Sequence, residues 1–265
     1  MTPKNIWWWV GGAIAIVLLV VGAGLVFHPT SAPTVSQNIS TASSSPVTVV
    51  TKKIEQTDDI SRVDVSYPFI TGISQDINNQ IQALLQNRIA DFKKIAHENE
   101  QARVETNARL PLSQQRPARP NPNDFWYELN ITYATGTIDA KTASILFLVD
   151  EYSGGAHGNK SFIPFNYDIA NNKPITLADV FLNVPDYLQK ISDFVYADVL
   201  KQLTNQETGM QPDIEWVKAG TAPQTDNFSA FTINNNSITF YIPPYQVAPY
   251  ALGDFQVEMP IPPER

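Results

Sequence analysis

Apolar residues first alternate along the chain and then change period. Val63, Val65, Tyr67 and Phe69 fall on every second position, which predicts a strand with one buried face. Past Gly72, Ile73, Ile77, Ile81, Leu85, Ile89, Phe92 and Ile95 recur every three or four residues, a long amphipathic helix with Ser74 as its cap. Alternation returns at Phe125, Tyr127, Leu129, Ile131 and Tyr133, and Ile145 to Val149 is an unbroken apolar run, as in a strand covered on both faces. Pro185 opens a second helix with the stripe Leu188, Ile191, Val195, Val199 and Leu203. Phe228–Ile233 and Ile238–Ile242 flank Asn234-Asn235-Asn236, a hairpin signal, and Phe255–Ile261 supplies a last strand.

The front of the chain follows another pattern. Ile6 to Phe27 passes without a charge, about 33 Å as a helix at roughly 1.5 Å per residue, against a hydrocarbon core of about 30 Å. A cleaved secretory signal is the competing reading. The run is long for one, and Pro33 follows the best cleavage pattern, Thr30-Ser31-Ala32, so a retained anchor is favoured. Trp7, Trp8 and Trp9 suit the membrane interface, and Lys4 places residues 1–5 in the cytoplasm and the rest outside. Residues 28–48, rich in Ser, Thr and Pro, read as a linker. The expected architecture is α+β: two small subdomains, each a helix packed on a largely antiparallel sheet, behind one N-terminal transmembrane helix.

Charge and composition narrow the function. The net charge is −8, and residues 49–265 hold all 26 acids against 17 of the 18 basic residues. A chain this acidic is a poor nucleic-acid binder. Cysteine is absent, which removes disulfides, thiolate metal sites and cysteine nucleophiles together. Residues 103–123 carry Pro111, Pro117, Pro120 and Pro122 with Arg103, Arg109, Arg116 and Arg119, and read as a long basic loop. It is either a solvated insertion or a lip for an anionic ligand such as a cell-wall polymer.

Candidate chemistry is sparse. The histidines are His28, His97 and His157, none in a metal-ligand spacing, so no metal and no cofactor are expected. Ser153-Gly154-Gly155-Ala156-His157-Gly158 lacks the G-x-S-x-G frame of a nucleophile elbow. Its glycines point to a sharply turning backbone that His157 pins by a hydrogen bond; contact with a ligand and catalysis are the other roles open to that ring. Thr176-Leu177-Ala178-Asp179 has the form of a capping box. Glu151 and Asp168 flank the glycine loop as a conceivable carboxylate pair for glycoside hydrolysis.

Several of these motifs together resemble a family. Tyr152 to Asn159, Phe165-Asn166-Tyr167-Asp168, Pro174 to Phe181, Asn227-Phe228 and Phe240 to Tyr250 are similar to the C-terminal extracytoplasmic domain of RsiV-type anti-sigma factors, a family otherwise of unknown function. Tyr67-Pro68-Phe69 with the helix Ile77–Ile89 resembles the domain that precedes it, which is also the accessory N-terminal domain of PdaC-type peptidoglycan deacetylases. The implied organisation is a cytoplasmic tail 1–5, an anchor 6–27, a linker 28–48, a PdaC-like domain 49–150 and an RsiV-like domain 151–265. The resemblance implies a bacterial single-pass membrane protein whose exported module binds a wall-associated ligand without catalysis. That ligand is a lysozyme-like protein or peptidoglycan. The ligand-binding residues expected are Tyr152, Gly154, Gly155, His157, Asn159, Pro243, Pro244, Tyr245 and Tyr250. An anti-sigma factor needs a cytoplasmic domain, and five residues do not supply one; no deacetylase metal set is visible either. The alternative is a wall-modifying, deacetylase-related hydrolase using Glu151, His157 or Asp168.

Overall fold

A computed structural model describes residues 46–115, 127–205 and 211–262, all within one unit, Ser43–Arg265. The anchor expected at 6–27 and most of the linker lie outside the described residues. Among the described residues no helix is long and apolar enough to cross a membrane.

The first half is a six-stranded sheet in the order β1 (Thr48–Thr57), β2 (Ser61–Thr71), β3 (Tyr127–Ile138), β4 (Thr142–Tyr152), β5 (Asn159–Asp168), β6 (Lys173–Pro174). Neighbours are antiparallel except β2 and β3, which run parallel from Ser61↔Tyr127 to Val65↔Ile131. Parallel neighbours need a crossover, and helix α1 (Gln75–Arg109) is part of it. Ser74 caps α1 by accepting from the Asp76 N–H. Buried Asn78 then closes the end of β2, donating to the Ile70 carbonyl and accepting from the Ile70 N–H, both at 2.8 Å. The core between α1 and the sheet holds Ile77, Ile81, Leu85, Ile89 and Phe92 against Val63, Val65, Leu129, Ile131, Ile145 and Phe147. Burying such a side chain is worth about 2 kcal/mol.

α1 is longer than its hydrophobic stripe predicts. Its 35 residues span about 52 Å, while the eleven of β2 span about 36 Å. Its buried positions end at Ala96. Arg103 and Arg109, expected in a loop, are therefore helical. Ion pairs with Glu100 and Glu105 one turn away suit them to that helix.

The second half is an antiparallel sheet of β7 (Phe231–Ile233), β8 (Ser237–Ile242) and β9 (Phe255–Pro260). Against it pack α3 (Tyr187–Asn205) and α4 (Ile214–Gly220), with Ile191, Val195, Val199 and Leu203 meeting Phe240, Ile242 and Val257. The short α2 (Leu177–Val180) carries the capping box, and its hydrogen bonds with the Thr176 hydroxyl and backbone, helped by Lys173, bring Asp179 down to about 2. The boundary expected at 150/151 falls inside β4, because β4 and β5 form one continuous hairpin.

β4 is buried on both faces, as its apolar run predicts. Ile145, Phe147 and Val149 face α1, while Ser144 and Leu146, equally buried, are not part of that core. β7 docks at Ser144. The Ile233 N–H donates to Ser144 Oγ (2.7 Å), Ser144 donates to Asn166 Oδ1 (2.6 Å), and Asn166 Nδ2 donates to the Phe231 carbonyl (2.9 Å). A bulge between Thr135 and Ile138 contains Gly136, where a Cβ would stand 2.3 Å from the Ile233 oxygen. Only glycine permits that approach.

Candidate functional site

The loop joining β4 to β5 turns through Gly154 (φ 110°) and Gly155 (φ 99°), both in a region that side chains rarely enter. Tyr152 closes it by donating to the Gly155 carbonyl at 3.0 Å. His157 lies on its descending arm and is exposed. Its Nδ1 stands 2.7 Å from the Gly158 carbonyl, which can only accept, so the proton sits on Nδ1. In the neutral ring Nε2 is then an acceptor, and the Tyr245 hydroxyl lies 3.2 Å from it. The ring stacks on Tyr250 with centroids 4.2 Å apart, and Tyr245 and Tyr250 are 5.5 Å apart. The two sequence motifs expected to bind ligand, 152–159 and 243–250, are thus neighbours joined by His157. Asn159, the first residue of β5, pairs with Glu151 in the ladder and is exposed.

Pro243 and Pro244 end β8 at Ile242, as two missing donors require. The segment after them is not extended, as its prolines suggest, but turns at once. The Gln246 N–H donates to the Pro243 carbonyl at 3.2 Å, with Pro244 and Tyr245 at the two central positions and Tyr245 at φ 71°. This is a type II turn with tyrosine where glycine or asparagine belongs, a strain on the order of 1–3 kcal/mol. The neighbours hold it there. Trp216 Nε1 donates to the Tyr245 carbonyl (3.1 Å), and Gln246 Nε2 donates to the carbonyls of Gly220 (2.8 Å) and Asn227 (2.9 Å). A Cβ on Gly220 would lie 2.1 Å from the Gln246 oxygen. The Tyr245 side chain is 50% exposed, and Tyr250 is half-buried. Trp216, Gly220 and Gln246 escape a pattern-based reading because they act through backbone atoms. Trp216 and Gly220 act at the carbonyls of Tyr245 and Gln246, and the Gln246 side chain acts at the carbonyls of Gly220 and Asn227. A glycine in the last turn of a short helix is the one local signal.

The carboxylate pair fails on geometry. Glu151 stands opposite Asn159 and Asp168 opposite Thr142, at opposite ends of one hairpin roughly 30 Å long. Glu151 is ion-paired with Arg88 of α1, and burial pushes the Arg88 guanidinium down from its usual range. Asp168 accepts from the Asn171 side chain and backbone, which hold it below the usual carboxylate range, and so orders a turn. His97 Nδ1 bonds the Lys93 carbonyl on an exposed helix face. Among the described residues no group of three His, Asp or Glu side chains is placed to hold a metal ion. Lys160 meets Asp254 at 2.7 Å, which ties β5 to the residues before β9 and raises the Lys160 ammonium.

A cleft of about 750 Å³ opens beside the glycine loop. One wall is the end of α1, with Asn99, Ala102, Arg103 and Thr106; the other is Tyr127, Tyr152 and Gly154. Asn99 Nδ2 donates to the Ser153 carbonyl at 2.7 Å and so fixes the loop against the helix. Arg103 makes two 2.8 Å bonds to Glu100, which raise its guanidinium further.

Two family models match successive parts of the chain, the first of them ending just inside β5. Residues 54–160 match the family model described as deacetylase PdaC, and residues 178–261 match that of a protein family of unknown function, DUF3298. The peptidoglycan-N-acetylmuramic acid deacetylase PdaC of Bacillus subtilis is 36% identical over 127 residues, covering 48% of this chain and 26% of its own. The immunogenic protein MPT64 of Mycobacterium tuberculosis is 31% identical over 142 residues, 52% of this chain and 59% of that one. An esterase of the same organism is 27% identical over 152 residues, 56% and 62% of the two chains. The chain therefore spans about a quarter of the deacetylase and about three fifths of the mycobacterial relatives. In fold it resembles a DUF3298 family member from Bacteroides fragilis, with a TM-score of 0.53 at 17% identity over 81% of this chain and 90% of that one. The first half of the folded chain thus matches a PdaC-type deacetylase domain, and the second a DUF3298 domain.

Proposed function

We propose that the chain is a non-catalytic, membrane-anchored binding module of the bacterial cell envelope, with its folded part outside and a lysozyme-like protein or peptidoglycan as its ligand. The observation that carries this reading is the Tyr245 turn. A bulky residue is held at positive φ by three neighbouring groups, and its ring stays half in solvent beside His157 and Tyr250. Strain maintained at an exposed aromatic residue gives nothing to stability and makes sense as preorganisation for a partner. The descending arm of the glycine loop supplies the other side of the same surface through His157, with Asn159 exposed next along the chain but one. Similarity to a peptidoglycan deacetylase supports a wall setting, and the acidic balance favours a basic protein partner.

The test uses the full chain in detergent, titrated with hen lysozyme and co-sedimented with purified peptidoglycan sacculi. One of the two binds. Tyr245→Ala weakens that binding by about thirtyfold, which corresponds to roughly 2 kcal/mol, without lowering the melting temperature. Binding to neither, or binding indifferent to Tyr245, ends this reading. The similarity to an esterase favours a second one, a hydrolase using His157; it requires ester or acetyl hydrolysis by the purified chain that His157→Ala abolishes.

A further inference from the structure

We infer that the cleft between the overhanging end of α1 and Tyr152 is a separate binding site for an uncharged oligosaccharide chain. The inference is independent of the Tyr245 surface and rests on the wall-binding reading only for where such a chain is met.

The helix itself points to a ligand. Along one face of α1, Leu85, Ile89, Phe92 and Ala96 are buried in the core. The same face continues through Asn99, Arg103, Thr106 and Leu110 and, among the described residues, lines the cleft. Four further turns of helix project beyond the core, and the face that would be apolar for packing turns to amide and hydroxyl. From Asn99 to Leu110 the wall is about 17 Å long, enough for several sugar units in line. The 750 Å³ volume lies in the usual range of about 300–1,000 Å³ for ligand sites.

The opposite wall sets the chemistry. Tyr152 is 36% exposed and presents an aromatic ring, Tyr127 forms the floor, and Gly154 lies over it, with a virtual Cβ 3.7 Å from the Tyr127 ring. A Cβ on Gly155 would meet none of the described residues within 4 Å. Aromatic faces beside amide and hydroxyl groups match a pyranose, which has an apolar C–H face and an equator of hydroxyls. Charge argues the same way. Arg103 is the one charged residue among the described lining, and Glu100 neutralises it with two bonds. The groove on the other side of α1 contrasts sharply, with Asp58, Asp59, Glu100 and Glu105 in its lining. A peptide fits the neutral cleft poorly. Tyr152 sits at the end of a strand paired on both sides by β3 and β5, so no free edge is offered for strand addition.

The experiment is calorimetric titration of the full chain in detergent with chitotetraose, cellotetraose and tetra-alanine. Chitotetraose, cellotetraose or both bind saturably. Ala102→Trp, which fills the cleft from an exposed helical position, weakens that binding by about tenfold or more with an unchanged melting temperature. Tyr152→Ala weakens it about fivefold or more, and Tyr245→Ala leaves it within about twofold. Equal affinity for both sugars means that the ring faces are read; preference for chitotetraose means that the acetamido groups are read as well. No saturable binding of either sugar overturns the proposal, as does binding untouched by Ala102→Trp, or preference for tetra-alanine. Because Tyr245→Ala is predicted to be silent here and decisive for the wall-ligand surface, failure of one reading does not imply failure of the other.

Discussion

Two of the places where the halves of the fold meet are built in opposite ways. At the buried seam every demanding position has the residue that suits it: glycine at 136, where the Ile233 carbonyl presses on β3, and a closed set of hydrogen bonds through Ser144 and Asn166. At the exposed seam a position that calls for glycine holds Tyr245 instead, and its ring reaches solvent beside His157 and Tyr250. The buried seam is relaxed and satisfied, as an element of stability should be. The exposed seam retains strain that its neighbours enforce, and the proposed binding role rests on that strain.

Substitutions at the two seams therefore separate stability from binding. Gly136→Ala has the largest effect: the Cβ meets a backbone oxygen that cannot swing away, and stability falls by about 3 kcal/mol in denaturant titration. Binding at the exposed seam falls with it only as far as the fold does. Ser144→Ala comes next at about 2 kcal/mol, because it leaves the Ile233 N–H and the Asn166 oxygen without their partner inside the protein. A loss below about 0.5 kcal/mol would mean that the buried seam is not the stabilising one. Lys160→Met, at the exposed side, costs about 1 kcal/mol at neutral pH. Its pH dependence has a fixed sign. The folded-state ammonium is raised by Asp254, so its contribution is complete below the unfolded value near 10.5 and disappears as pH rises through the folded value. The native chain should lose stability in that alkaline window more steeply than Lys160→Met; parallel profiles would remove the ion pair from the account.

The apolar pattern made much of this fold legible. The strand at Val63–Phe69, the doubly covered run Ile145–Val149, the α3 stripe and the Asn234–Asn236 hairpin all lie where periodicity puts them. β1 gives no such signal, because it is an edge strand whose residues are mostly exposed and need not alternate. The end of α1 escapes the apolar pattern because its stripe stops at Ala96 while the helix continues on local ion pairs. In the site, the Pro-Pro-Tyr and Gly-Gly motifs were visible as residues that restrict or free the backbone. Their proximity was not, since it depends on how β7 docks on β4. The Glu151–Asp168 pair failed for a simpler reason: residues that flank a motif in sequence stand at opposite ends of a hairpin when the chain between them is a strand.

Whether Tyr245 is kept in a strained turn for its exposed ring is tested most directly by Tyr245→Gly compared with Tyr245→Ala. Both variants remove the ring, but only glycine relieves the backbone. In parallel denaturant titrations and binding assays with the ligand identified among lysozyme and sacculi, the glycine variant should be more stable than the alanine variant by about 1 kcal/mol. The two should lose affinity equally, by about thirtyfold. An alanine variant as stable as the glycine variant, or wild-type affinity in either, would contradict the account.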